Sequence, residues 1–446
     1  MTLTALAIVV LSIWAVGAAT KKTGLAAVIM ALALVVSSII PRFLTSTGPA
    51  GHVGIAPAVP AVATYGILVV GGAALLVLGS GLPRRSAVWL PFIVWMAVGT
   101  AFAWDVDAAA WSGVGHLLLA PAAWLIGFRT GMRVTAGARR VLLFTVSLIV
   151  VAEAFVVLAQ TAGIAINPMS SVQAVLMEGR FNGTLDHPNI LGRLVVLLVV
   201  LVLALAPAMD LRGRRRIAVV LVAALGLLLL TGGRAAVFGF LAILVTWLAL
   251  LPGTRQRVAW KVVATWGVIA ATGVAVVALS GRLADDGEGD ARRHLAVVAG
   301  DVIRQEPVWG VGPNHYVSAG GAVDALTGSG VPVHNVGLLA AAELGWVGAA
   351  ALALPLAAAA VRALPRLRSR GPAGDASRAL VAFLPALALL GGTGWSLLAG
   401  VLLPMVFVVV GFLDGAMSTS AGDGDIAHAS DDHAVTATTA AARATA

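Results

Sequence analysis

No cysteine occurs anywhere in the chain. Disulfides, thiolate metal sites and a cysteine nucleophile are thereby excluded. Charge is scarce as well: 11% of the 446 residues are Asp, Glu, Lys or Arg, against 60% that are hydrophobic. No stretch has the look of a long soluble domain. A water-soluble protein could not hide that much apolar surface, so the chain reads as a polytopic membrane protein, in keeping with a mean hydropathy of +0.98. A formal net charge of +9 raises nucleic acid as a partner. The positive charges, however, sit in short loops between apolar segments. That is the signal for membrane orientation, and nucleic acid is set aside. The first apolar run has no basic residue before it, and a second follows at once. It reads as a spanning helix, not a cleavable signal.

What is present is helix after apolar helix. A span needs about 20 residues to cross about 30 Å of hydrocarbon. That ruler predicts helices near 2–20, 23–41, 61–80, 86–104, 112–128, 141–162, 188–209, 216–232, 235–252, 259–280, 335–361, 377–392 and 395–413. The pairs 216–232/235–252 and 377–392/395–413 can each be read instead as one irregular helix with a re-entrant piece. The fold class is all-α, a bundle of about 12–13 transmembrane helices with one large extracytoplasmic loop, 281–334. Arginine and lysine crowd alternate loops, such as Arg84 and Arg85, Arg139 and Arg140, and Arg362 to Arg370. The positive-inside rule makes those loops cytoplasmic, so the N-terminus faces out and the chain after residue 414 faces in. Three regions are expected: N-terminal transmembrane helices over 1–140, a membrane core over 141–414, and a disordered cytoplasmic tail over 415–446.

Few arginines remain for the outer side, and Arg193 and Arg234 lie close to the outer ends of predicted helices. An arginine near the membrane core is expensive unless it snorkels or is paired. Several at one depth point to an anion site, and a lipid phosphate or pyrophosphate is the anion that a guanidinium clamps bidentately. Snorkelling to ordinary headgroups is the plain alternative.

Three motifs carry the candidates. The segment GRFNGTLDHPNILGR, 179–193, is a loop feeding a helix. Asp186 or His187 can cap it, Pro188 suits its first turn, and Asn189 and Arg193 share one face. Capping alone leaves Arg180 and Arg193 unexplained. The segment LLLTGGRAAVFG, 228–239, lets the chain turn at Gly232 and Gly233 before Arg234; a simple turn between helices is its plain alternative. In the outer loop, Leu295, Val298, Val302 and Ile303 recur at helical spacing, predicting an amphipathic surface helix over 291–304. His334 and Asn335 then open the next span. A histidine there can cap, or can serve as general base for a lipid-linked substrate.

With these residues in order, the chain resembles the O-antigen ligase/polymerase family of membrane glycosyltransferases, described as GT-C-like. The pieces are G…HPN…G at 183–192, TG(G/S)R at 231–234, and Arg…P…GVG…HN…L…E.G..G from 292 to 348, covering roughly residues 140–365. The resemblance implies transfer or polymerisation of a polyprenyl-pyrophosphate-linked glycan onto a glycan or other acceptor hydroxyl at the outer face of the cytoplasmic membrane. It implies no metal, no cofactor and no nucleotide sugar. Carried over, Arg234, Arg292 and His334 are the catalytic candidates, two cations for the pyrophosphate and a base. Arg180, Arg193, His187, Asn189, Arg293, Asn335 and Asp186 are the candidates for substrate binding. The chain reads TGGRAA where Ser-Arg-Gly is commoner, and has one helix above the twelve usually drawn for the ligases.

The chemistry also follows from the reactants. Fixed positive charge must stabilise the departing pyrophosphate. An imidazole or a carboxylate must take the acceptor proton. Asp186, Glu178, Asp301, Glu306 and Glu343 are alternative bases, with Asp186 best placed. Glu153, inside the sixth predicted helix, is expected to be structural and too deep to serve the site. Two other readings compete. A transporter or flippase of a lipid-linked glycan or small solute should show internal repeats, and none is clear. A relative of the shape and division peptidoglycan polymerases would need an essential acid in the large loop.

Overall fold

Apolar residues at helical spacing dominate the chain, and in the computed structural model the described residues are mostly helical. The structure describes residues 24–39, 55–57, 63–167, 169, 179–208, 211–252, 267, 270, 272, 273 and 287–418. The expected span 2–20, most of 259–280, the stretch 281–286, Arg42, Glu178 and residues from 419 onward lie outside the described residues. The main helices are α1 (Leu25–Ile39), α2 (Thr64–Ser80), α3 (Leu90–Phe102), α4 (Ala108–Leu117), α5 (Leu119–Gly131), α6 (Ala136–Thr161), α7 (Pro188–Leu205), α8 (Leu211–Thr231) and α9 (Arg234–Leu250). After these come α10 (Gly287–Gln305), the short α11 (Tyr316–Gly321) and α12 (Ala325–Gly328), and then α13 (Val336–Ala363), α14 (Pro372–Gly392) and α15 (Leu402–Ala416). Among the described residues six helices are long and apolar enough to cross a membrane, so the chain is a multi-pass membrane protein.

Three boundaries differ from expectation for physical reasons. The span expected over 112–128 begins earlier, at α4, because Asp107 accepts the Ala110 N–H at 2.8 Å and caps it. The span expected over 395–413 begins only at α15, because Thr393 to Val401 hold a short 3-10 turn and Gly400 sits at φ +50°. The span expected over 335–361 is α13, broken at Gly345, whose φ of +69° no helix contains. The two doubtful pairs are each two separate helices, and the helix expected on the outer loop over 291–304 is α10.

Two features hold the bundle. The first is α7, apolar on every side, with Leu194 to Leu203 all at 1% exposure or less. Such a helix belongs in the centre, ringed by other helices. The second is α5 against α15. Each carries a Gly-x-x-x-Gly pair, Gly127 with Gly131 and Gly411 with Gly415. A Cβ at any of the four would strike a backbone carbonyl of the opposing helix: Val408, Phe412, Trp124 and Phe128 in turn. Where lipid is as apolar as leucine, such close backbone approach supplies the packing energy.

Helix ends sort onto two faces. At one, Asp414 at the end of α15 is fully buried and takes Arg362 Nε at 2.9 Å and Nη2 at 2.7 Å, with Arg85 Nη1 at 3.2 Å. Arg129 caps the end of α2 through the Ser80 and Gly81 carbonyls. At the other face α13 begins while α14 ends: Val336 lies 3.7 Å from a Cβ built at Gly391. The arginine-rich loops and the segments around His334 therefore stand at opposite ends of the bundle.

Gly131→Val is expected to lower the thermal unfolding midpoint in detergent, since forced overpacking costs about 1–3 kcal/mol. Gly71→Ala, where a Cβ meets nothing within 4 Å, is expected to leave it unchanged or raise it slightly. Equal midpoints for the two variants would remove the role given to the glycine pairs.

Candidate active site

The segment before α7 is a polar loop folded back into the bundle. Gly179 and Gly183, at φ +68° and +61°, turn it. Arg180, 8% exposed, donates from Nε to the Thr231 carbonyl at 2.8 Å and from Nη2 to Asn189 Oδ1. Phe181 N–H reaches the Leu230 carbonyl at 3.3 Å. Of the two possible caps, His187 is the one used: its Nδ1 accepts the Asn189 N–H at 3.0 Å, while Asp186 is exposed. Burial first, and then the charges of Arg180, Arg193 and His334, push the His187 imidazole down to about 4. It is neutral at pH 7 and shares an electrostatic environment with two arginines and the loop histidine.

The expectation for Glu153 needs correcting. It is not remote from this segment, because its carboxyl accepts the Thr184 N–H at 3.0 Å and touches the Thr184 hydroxyl. The loop dips to reach it, so depth along α6 does not measure distance from the site.

The second motif is the break between α8 and α9. Gly232 at φ +61° turns the chain, and Arg234 is the first residue of α9. This break packs on the first turns of α7: a Cβ built at Gly192 would lie 3.0 Å from Ala236 Cβ and 3.4 Å from Thr231 Oγ1. A cation opposes the positive end of a helix dipole, so Arg234 sits where helix stability would not put it. The beginnings of α7 and α9 are thus in contact, and His334 and Asn335 bring the beginning of α13 to them. The beginnings of these three helices are thus neighbours.

Arg193 lies in the second turn of α7, 6% exposed. Its Nη1 bonds the Ser396 hydroxyl, and a side chain at Gly394 would collide with its guanidinium. Among the described residues it has no carboxylate within ion-pair distance, and its buried Nε has no hydrogen-bond partner. The charged groups that act on it are Arg292 and Arg180. The loop helix α10 separates its adjacent arginines. Arg292 is half-buried and its charge acts on Arg193, whereas Arg293 is exposed and pairs with Asp290 one turn back.

The third motif proves to be largely a fastening. The break at Gly345 frees the carbonyls of Ala342, Glu343 and Leu344. They accept Val311 N–H, Gly312 N–H and Trp95 Nε1–H, each at 2.9 Å. Pro307 O in turn takes Trp346 N–H at 3.0 Å, and Trp309 stacks on Trp95 with ring centroids 4.2 Å apart. Gly310 is required because backbone lies against backbone here, and Gly312 because its φ is +99°. The buried Glu343 carboxyl lies beside the N–H groups of Asn314 and Tyr316, and its Oε1 has no hydrogen-bond partner among the described residues. Asn335 caps α13 through Leu338 N–H at 3.0 Å.

The structure therefore gathers Arg180, His187, Asn189, Arg193, Arg292 and His334, with Arg234 at the adjoining helix start. It leaves Asp186 and Arg293 facing outward. Sequence reasoning missed Ser396 and Gly394. The small-residue run Gly391 to Gly394 was the available signal, since such a run between apolar helices marks a non-helical turn.

Because the folded pKa of His187 lies below its ordinary 6.5, the folded protein binds fewer protons than the unfolded chain between 6.5 and about 4. The stability from keeping it neutral is complete above 6.5 and is lost as pH falls through that window. His187→Asn, which can still cap, is expected to flatten the fall in unfolding midpoint over that range. A variant profile parallel to wild type would refute the assignment.

Compared with known families, residues 217–353 match the O-antigen ligase family. No curated protein matches the chain. The matched stretch is narrower than the resemblance expected from the motifs. It contains Arg234, Arg292 and His334, while Arg180, His187 and Arg193 fall before it and are joined to it by the packing of α7 on the α8–α9 break. Over residues 217–353 this polytopic membrane protein is thus similar to the O-antigen ligase family, a likeness that supports the transfer of a glycan onto an acceptor hydroxyl.

Proposed function

We propose that the chain binds a polyprenyl-pyrophosphate-linked glycan where α7, α9 and α13 begin, and transfers the glycan to an acceptor hydroxyl at the outer face of the cytoplasmic membrane. The observation that carries this reading is Arg193, a buried guanidinium with arginines for neighbours and no carboxylate partner among the described residues. Such a charge is tolerated at that depth if an anion occupies the place it faces. A pyrophosphate is the anion that brings two negative phosphates to one spot, and positive helix ends favour it too.

In the transfer the acceptor oxygen attacks the anomeric carbon, and the bond from that carbon to the phosphate oxygen breaks. The leaving pyrophosphate keeps the electron pair, and its growing charge is held by Arg193, Arg234 and Arg292. His334 accepts the acceptor proton. Arg180, braced by Thr231 and Asn189, fixes the turn and adds to the field. Direction follows from charge: the arginine-rich end lies opposite this site, so by the positive-inside rule the site faces out. The product is either a longer chain still on polyprenyl, as from a polymerase, or a glycan on a different acceptor, as from a ligase.

Purified protein in nanodiscs, given a polyprenyl-pyrophosphate oligosaccharide, would be assayed by product mass. Arg193→Ala and Arg234→Ala are expected to lower turnover by about 10²–10³-fold. His334→Ala is expected to lose about 10²–10⁴-fold. All three should remain monodisperse, and undiminished transfer by Arg193→Ala would end this reading. Ladders on polyprenyl identify a polymerase, and transfer to a second acceptor a ligase.

Orientation has its own test, made clean by the absence of cysteine. Ser329→Cys in the outer loop should react with an impermeant maleimide on intact cells, and Ser369→Cys, in an arginine-rich loop, should not. The reverse pattern would put the site on the cytoplasmic side.

A further inference from the structure

Glu153 is a carboxyl buried in a membrane helix, 1% exposed, and the transfer chemistry makes no use of it. Among the described residues no ion pair reaches it. Its Oε2 accepts the Thr184 N–H at 3.0 Å, and its Oε1 lies against the Thr184 hydroxyl. Two turns along α6, Gln160 grips the same segment. Its Oε1 accepts the Gly183 N–H at 3.0 Å, and its Nε2 donates to the Gly183 carbonyl at 3.0 Å. The positive φ of Gly183 and its closeness to the carboxyl leave no room for a side chain there.

Counting protons decides the state of the carboxyl. The Thr184 hydroxyl has one proton but two close oxygens, Glu153 Oε1 and the Ser38 carbonyl at 3.0 Å. A carboxylate and a carbonyl can only accept, so an ionised Glu153 leaves one contact without a proton. With a proton on Oε1, Glu153 donates to Thr184 Oγ1, and the Thr184 hydroxyl donates to Ser38 O. Oε2 still accepts the N–H. Every contact is then satisfied, and no charge is buried in hydrocarbon.

We infer that Glu153 is a positioning residue working as a neutral, protonated carboxyl, which pins the Gly183–Thr184 turn at depth and so sets Arg180 and His187 at the anion site. The inference rests on reading that site as the seat of the donor pyrophosphate. Arg180 stands three residues before the pinned glycine, and His187 three residues after the pinned threonine. Slack in the turn would therefore reach both.

The test compares wild type, Glu153→Gln, Glu153→Ala and Arg193→Ala in the nanodisc transfer assay, together with infrared spectra of wild type and Glu153→Gln. The amide repeats the proton pattern of the neutral acid, so Glu153→Gln is expected to transfer within about two-fold of wild type. Glu153→Ala is expected to lose about 10²-fold in kcat, the scale of a misplaced reacting group. The wild-type minus Glu153→Gln spectrum should show the C=O stretch of a protonated carboxylic acid at pH 7. Full activity in Glu153→Ala, equal damage in both Glu153 variants, or a missing acid band would each overturn the inference. If Glu153→Ala is not monodisperse, the glutamine variant and the acid band decide. Undiminished transfer by Arg193→Ala sinks the site reading instead, while the acid band still judges the proton state of Glu153.

Discussion

A guanidinium inside a membrane bundle must answer to something. At the arginine-rich end the answer is internal: Arg85 and Arg362 close on the buried Asp414. At the other end Arg193 has a serine hydroxyl and a glycine backbone beside it, and the nearest charges are of its own sign. The same residue type is thus used in two opposite ways. One arrangement neutralises the charge to hold helices together. The other leaves it without a carboxylate partner among the described residues, which is the arrangement that the proposed anion would relieve on binding. The helix beginnings around it act in the same direction.

That arrangement requires interrupted helices, and each interruption exposes backbone that hydrocarbon cannot satisfy. The structure meets the demand locally. Carbonyls freed at Gly345 are taken by Val311, Gly312 and Trp95. The carbonyls beside Gly232 take Arg180 and Phe181. The dipped loop is held by Gln160, Thr184 and Glu153. The polar residues of the site region thus do two jobs, and most of them serve the backbone. A motif such as GVG or E.G..G can accordingly mark a fastening between segments while the reacting groups lie elsewhere.

Much of this was legible without coordinates. The described spans, the loop helix and the side-by-side arginines follow from apolar periodicity and charge, which act over a few residues and are visible in any window. Long-range contacts were not legible. Nothing near Arg193 announces Ser396, two hundred residues away, and nothing near Glu153 announces Thr184. Arg292 and Arg293 are neighbours in sequence, and only the packing of α10 turns one inward and the other toward Asp290. The glycine pairs of α5 and α15 lay in plain view as Gly-x-x-x-Gly, a spacing whose meaning depends on a partner helix that the spacing does not name.

That last contact bears on biosynthesis. The α5 glycine face leaves the ribosome well before α15 and meets its counterpart only once α15 has been made. Until then α5 sits in the bilayer with a flat, small-residue stripe available to any other helix that passes. Assembly is therefore completed after translation of α15, and a nascent chain halted before it exposes a surface that membrane quality control could recognise.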